Sequence, residues 1–278
     1  MSDNRISDES QALRNEIRRL RKSLSELTPP LDILLKRRGF RIYKKEPSED
    51  LLLPEDTHIN SFYDMLKKYS FRLFLREVIK NQKFFKLEQV TRYATPAVTN
   101  DYLHYMIDIG LVVNAPGGFK LLPIPIKSFG ETLEWFVAEI FKAEFAVEAI
   151  WGIRFKRPRV GGDYDLIAKV DGAILYMEIK SSPPKQIYQQ EISAFFDRVA
   201  DLSPELSIFF VDTELRMKDK IVLMFEEDLK KRHSQPPKIV RIEKELFRIW
   251  DKTFIINAKD SITANIEKVL SWYFRKSL

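Results

Sequence analysis

The residues best placed to do chemistry are Asp165 and the triplet Glu178-Ile179-Lys180. Between them lies Asp171-Gly172, flanked by apolar, β-branched runs, which is the pattern of a two-residue type I′ hairpin turn. That turn pairs Val170 with Ala173. Counting outward sets Asp165 opposite Glu178 and Asp163 opposite Lys180. Side chains alternate along a strand, so these four polar groups are expected on one face. Leu166, Ala168, Val170, Ala173, Leu175, Met177 and Ile179 form the other face, predicted to be the buried side. Directly opposed carboxylates repel and weaken a sheet. A hard cation removes that penalty, because Mg²⁺ takes one or two carboxylates and completes its shell with waters and substrate phosphate oxygens. Lys180 adds a positive charge able to hold an attacking water or to stabilise charge on a phosphate. A Mg²⁺ (or Mn²⁺) site at Asp165 and Glu178 is therefore expected, against the alternative of a solvated polar face.

The surrounding elements must hold this hairpin. Gly130-Glu-Thr-Leu-Glu-Trp-Phe opens a helical segment to about Glu148, with Leu133, Phe136, Val137, Ile140 and Phe141 on its apolar face. A strand near 149–155 precedes a basic patch of Arg154, Lys156, Arg157 and Arg159, which either grips backbone phosphates or is an ordinary solvated loop. After the hairpin come a helix over about 186–202 and the continuously apolar Ser207-Ile-Phe-Phe-Val211, which reads as a central parallel strand. A helix near 218–232, strands around Arg248 and over 254–256, and a capped helix from Asp260 complete the C-terminal half.

The 278 residues suffice for two domains or for one domain with extensions. Hydrophobic content of 45% permits a real core, and 31% charged residues argues for a well-hydrated surface. A net charge of +6 makes an anionic partner, nucleic acid first, plausible. There is no cysteine, which excludes disulfides, thiolate zinc sites and cysteine nucleophiles. The histidines His58, His104 and His233 are too scattered for zinc or for histidine-led catalysis. No apolar run reaches the length of a membrane span and the start is polar, so no membrane partner and an intracellular, cytoplasmic protein are expected.

Residues 8–27 predict a helix with Leu13, Ile17, Leu20, Leu24 and Leu27 on one heptad-like stripe, which either docks on the protein's own body or forms a homodimer. A basic stretch over 36–45 and an acidic, proline-containing linker complete an N-terminal segment 1–56. Over 57–125 the pattern predicts one long helix (61–81), a short one (87–93) and a third begun by Thr95-Pro96 and stopped by Gly110, followed by a hairpin ending near Leu121. Three helices and a two-stranded wing resemble the winged helix-turn-helix fold. In that family the third helix enters the DNA major groove. Its exposed positions are expected to be Thr99, Asn100, Asp101 and His104, with Arg92 nearby, and the resemblance implies DNA contacts from Arg92, Asn100 and His104, Asp101 being ill suited to phosphates; such modules also serve as protein–protein platforms.

From about 128 to 211 the order is helix, strand, Asp-bearing strand, Glu-x-Lys strand, helix, strand. This resembles the core of the PD-(D/E)XK nuclease superfamily, to which restriction endonucleases and archaeal Holliday-junction resolvases belong. The resemblance implies an α/β fold, a restriction endonuclease-like mixed sheet flanked by helices, over 126–278. Gly130 to Glu134 matches the Gly-x-x-x-Glu opening of the resolvase-like branch, Asp165-Leu-Ile-Ala the metal-binding aspartate, and Glu178-Ile-Lys180 the Glu-x-Lys motif. It thus implies Glu134, Asp165 and Glu178 as metal ligands and Lys180 as the catalytic lysine, with Gln189 or Gln190 approaching from the next helix. Tyr164 replaces the motif's proline, and Asp163 is a second carboxylate that could take the ligand role of Asp165. The implied activity is Mg²⁺-dependent DNA cleavage, RNA being less supported. A DNA-binding or assembly protein using the same fold without turnover is the alternative.

Overall fold

The computed structural model describes residues 29–122, 125–156 and 159–276, with Glu16, Arg19, Leu20 and Ser23 before them. The heptad-like stripe falls outside these residues except for Leu20, which is exposed. Among the described residues no helix is long and apolar enough to cross a membrane.

The body is an eight-stranded mixed sheet. Its strands are β1 (Ile42–Lys44), β4 (Glu148–Phe155), β5 (Tyr164–Val170), β6 (Ala173–Lys180), β7 (Leu206–Val211), β8 (Ile239–Glu243), β9 (Leu246–Ile249) and β10 (Thr253–Asn257). The spatial order is β1-β4-β5-β6-β7-β10-β9-β8. β7 runs parallel to both β6 and β10, and the other pairs are antiparallel. β7 is buried at all its positions, as its unbroken apolar run requires between two covered faces. The α/β class with helices flanking a mixed sheet is as expected.

Both faces of the hairpin are covered, where only the Leu166-to-Ile179 face was expected to be buried. Leu166, Ala168, Leu175, Met177 and Ile179 pack under α6 (Gly130–Glu144). Ile167, Ile174 and Tyr176 pack on the opposite side with α1 (Leu31–Arg37), α7 (Gln189–Leu202) and α8 (Leu223–Arg232). The reason is visible in β5 and β6 themselves. Only Asp165, Lys169, Glu178 and Lys180 are charged within the strands, and Ile167, Ile174 and Tyr176 between them are too apolar to face water.

The segment predicted as a basic linker instead contributes α1, whose Leu31 and Leu35 are buried, and β1, which pairs with β4 at the sheet edge. The predicted long helix over 61–81 is two: α2 (Ile59–Leu66) and α3 (Tyr69–Lys80), broken at an extended Lys68. Arg72 Nη1 donates to the Leu66 carbonyl at 2.7 Å and so satisfies the backbone acceptor the break exposes. α4 (Leu87–Val90), α5 (Pro96–Asp108) and the β2 (Val112–Ala115)–β3 (Gly118–Leu121) hairpin follow. Thr95 caps α5, accepting from the Val98 N–H, and Gly110 takes the left-handed turn beyond it. The terminal helix α9 (Ile262–Lys276) lies against β10.

The helical module shares one core with the sheet. Phe62, Phe71, Phe74 and Val78 belong to the same buried cluster as Leu133, Phe136, Met177 and Phe210. A buried ion cluster pins the junction. Arg72 (1% exposed) binds Asp212 (0% exposed) through Nε at 3.0 Å and Nη2 at 2.8 Å, and Arg76 also bonds the Asp212 carboxylate. Asp212 directly follows β7, and its N–H donates to the Lys180 carbonyl at 2.8 Å. The helical module is thus clamped beside the end of β6 that carries the Glu-x-Lys motif.

Candidate active site

Asp171 (φ 49°) and Gly172 (φ 85°) both adopt positive φ, as a type I′ turn demands, and the register runs from Val170↔Ala173 to Leu166↔Met177. Beyond Leu166 the ladder changes. In a two-residue hairpin the Ile179 N–H would meet the carbonyl of residue 164. It donates instead to Asp165 Oδ2 at 2.7 Å. The strands separate at this point, and the Asp165 carboxylate stands in the opening beside Glu178.

Gly152, at the matching position of β4, also takes a positive φ of 57°; a Cβ there would lie 2.3 Å from Pro47 and 3.7 Å from Glu134 Oε2. That close approach lets Glu134, from α6, reach the same opening. Its neighbours on the helix face elsewhere: Glu131 accepts from the Asp50 N–H at 2.9 Å, and Thr132 from the Leu52 N–H at 2.9 Å.

Glu178 is 2% exposed, so its charge must be matched. Lys180 Nζ donates to Oε1 at 2.7 Å, and Arg198 Nη1 lies 3.0 Å from Oε2. The Tyr176 hydroxyl, two residues back on the same face, also donates to this carboxylate. Sequence reasoning missed Tyr176 and Arg198. Arg198 sits on α7 where the Gln189 or Gln190 approach was expected, whereas Gln189 donates to the Met224 carbonyl at 3.0 Å. A signal existed in Gly161-Gly162. Gly162 holds a φ of 94°, and a Cβ there would meet Arg198 Nη2 at 2.5 Å, so the glycine makes room for the guanidinium.

Electrostatics follow from this crowding. Burial, and then the Glu178 charge, push the Asp165 carboxyl up to about 7. Burial and the neighbouring Asp165 likewise hold the Glu134 carboxyl well above the usual range. For Lys180, burial disfavours the ammonium, but Glu178 and Asp165 together outweigh it and raise its pKa. The opening therefore holds two carboxyls that bind protons unusually well in the absence of a cation. Among the described residues no group of three or more His, Asp or Glu side chains is disposed to hold a metal ion. Glu178 is engaged by Lys180, Arg198 and Tyr176, so Asp165 and Glu134 are the less encumbered carboxylates. Such a donor set fits a hydrated Mg²⁺ or Mn²⁺, which needs one or two carboxylates, and not an all-protein cage.

The other expected site residues lie around this centre or away from it. Asp163 is turned outward and forms a two-bond pair with Arg154, at 2.7 and 2.8 Å, at the edge of a cavity of about 310 Å³ that Glu131 and Gly152 also line. That pair is exposed and contributes little to stability. Lys156 and Arg159 are exposed, and Arg157 lies outside the described residues. On the helical module, Asp101 and His104 are exposed and Asn100 is half-buried, its amide 3.2 Å from His104 Nδ1. Arg92 is exposed and lies over the Tyr93 ring. Thr99 departs from expectation: it is buried, its hydroxyl donating to the Thr95 carbonyl at 3.0 Å.

No protein-family model and no curated protein matches this sequence. Among solved structures the chain is similar to Can2 from Sulfobacillus thermosulfidooxidans, in complex with cyclic tetra-adenylate, at 14% identity and a TM-score of 0.44, over 64% of this chain and 50% of that one. It is also similar to protein VC1899 from Vibrio cholerae, at 12% identity and a TM-score of 0.42, over 87% of this chain and 59% of that one. The chain thus spans roughly half of these neighbours' lengths. Resemblance at this level transfers no activity, which has to be argued from the side chains.

Proposed function

We propose that the protein is a metal-dependent nuclease of the PD-(D/E)XK type that hydrolyses phosphodiester bonds in DNA. In this reading the winged-helix-like module over 57–125 holds the nucleic acid. The observation carrying it is the convergence of Asp165, Glu178, Lys180 and Glu134 where β5 and β6 part. Asp165, with Glu134 or Glu178, would hold Mg²⁺ or Mn²⁺, which when bound polarises the scissile phosphate and lowers the pKa of a bound water. Lys180, kept protonated by its two acidic neighbours, aligns the nucleophile or offsets charge developing on the phosphate. Arg198 and Tyr176 hold Glu178 in place. Arg154, Lys156 and Arg159, together with Arg157 in sequence between them, would bind strand phosphates, with Arg92, Asn100 and His104 contacting DNA from the helical module. Incubation of the full chain with duplex, nicked, branched and single-stranded DNA in Mg²⁺ or Mn²⁺ tests the reading. Cleavage that stops with chelator supports it, and no cleavage of any form contradicts it.

One observation favours a second reading. The Glu178 carboxylate is already bound by two cations and a phenol, as suits a nuclease fold that binds or assembles without cutting. DNA binding with no turnover in either metal would identify that case.

Metal affinity should depend on pH with a defined sign. Asp165 binds a cation only as the carboxylate, and its carboxyl in the folded protein titrates at about 7. Affinity for Mn²⁺, measured by calorimetry, should rise by about tenfold or more per pH unit below 7 and less steeply above it, where Asp165 is already ionised. Equal affinity at pH 6 and pH 8 would contradict the assignment.

A further inference from the structure

We infer that Tyr188 is a stacking platform for an unpaired nucleobase beside the scissile phosphate, so that the strand presented to the site is single-stranded or locally unpaired. The inference rests on the nuclease reading for its location, though not for its test.

Tyr188 is 64% exposed; among the described aromatic residues only Tyr43, at 69% on the edge strand β1, is more so. Its exposure is not the product of a loose segment. Pro183 and Pro184 stiffen the approach, Pro184 and Ile187 are buried, and Tyr188 occupies the position preceding the first turn of α7. Its N–H donates to Glu191 Oε2 at 3.2 Å. The other oxygen of the same carboxylate lies 3.9 Å from Lys180 Nζ. One side chain therefore spans the gap between the backbone of Tyr188 and the lysine at the reaction centre.

Its surroundings match a nucleic acid strand. Lys220 Nζ lies 5.9 Å from the ring centroid and is held there by donating to the Lys185 carbonyl at 2.9 Å. Lys185, three positions before Tyr188, and Lys218, two before Lys220, are exposed. A fixed aromatic face with ammonium groups around it offers a π-surface to a base and counter-charge to its phosphates. A paired base has its faces covered by its neighbours and cannot use the platform, so the arrangement selects unpaired strand.

The test is equilibrium binding of the full chain to fluorescein-labelled single-stranded DNA, single-stranded RNA and blunt duplex DNA, all in chelator so that turnover plays no part. Loss of base stacking costs about 1–3 kcal/mol, so Tyr188→Ala should weaken single-strand binding by about 5- to 150-fold. Tyr188→Trp should retain binding, with indole fluorescence quenched by the bound strand, and duplex affinity should not change. The DNA and RNA arms show which sugar the platform accepts. Unchanged single-strand affinity in Tyr188→Ala, or an equal loss on duplex, would overturn the inference. Either result leaves metal-dependent cleavage to stand or fall on its own assay.

Discussion

Asp165→Asn should lower metal-dependent cleavage by two to three orders of magnitude or more while leaving the fold intact. The magnitude is that of removing one preorganised charged group from a reaction centre, on the order of 10²–10³-fold in rate. Lys180→Ala should produce a loss of the same order. Folding and activity respond in opposite directions here. The Asp165 carboxyl titrates at about 7 in the folded protein, above its value of about 3.9 in an unfolded chain. The folded state therefore holds that proton more tightly, and stability falls as pH rises from about 4 to about 7. Above pH 7 the ionised pair of Asp165 and Glu178 is a cost. The Asp165→Asn protein lacks it, and the oxygen of the substituted amide can still accept the Ile179 N–H. Without metal at pH 8 the Asp165→Asn protein should unfold at a urea concentration equal to or above that of the wild type. Full cleavage by either variant would sink the assignment, and a lower unfolding midpoint for Asp165→Asn would sink the electrostatic account.

The largest stability effect should come from Asp212→Ala. That change leaves the Arg72 and Arg76 guanidiniums without their shared carboxylate, Arg72 in a fully dry setting. Breaking a buried pair from one side costs about 3–5 kcal/mol. Against a typical total of about 5–15 kcal/mol, this would unfold a large fraction of the chain or lower its unfolding midpoint steeply. Burial alone would raise the Asp212 carboxyl, but Arg72 and Arg76 together outweigh it and hold it below the usual range. Its stabilisation is therefore present above the unfolded carboxyl's pKa and lost as pH falls through the lower folded value. Urea unfolding of Asp212→Ala at neutral pH is the check; a change below about 1 kcal/mol would show that the cluster does not hold the two modules together.

How much of this was legible in the sequence follows from the range over which each feature is encoded. The Asp171-Gly172 turn is local, so it determined the register that sets Asp165 beside Glu178. The apolar run of β7 required cover on both sides and revealed a central parallel strand. Arg198 and Glu178 are 20 positions apart and meet only because α7 packs back across the sheet. Arg72 and Asp212 are 140 positions apart, and their pairing also explains a helix break that periodicity alone reads straight through. The same limit applies to the covered second face of the hairpin. Ile167, Ile174 and Tyr176 alternate with charged residues, and only the arrival of α7 and α8 explains why those charges must be paired internally.

The most direct test is a crystal of the full chain soaked in Mn²⁺, with anomalous scattering recorded at the manganese edge. A peak bonded to Asp165 and at least one of Glu134 and Glu178, with oxygen distances near ~2.1 Å, is the predicted result. Clear electron density for those side chains with no anomalous peak among them, in crystals soaked at a saturating Mn²⁺ concentration above pH 7, would contradict it.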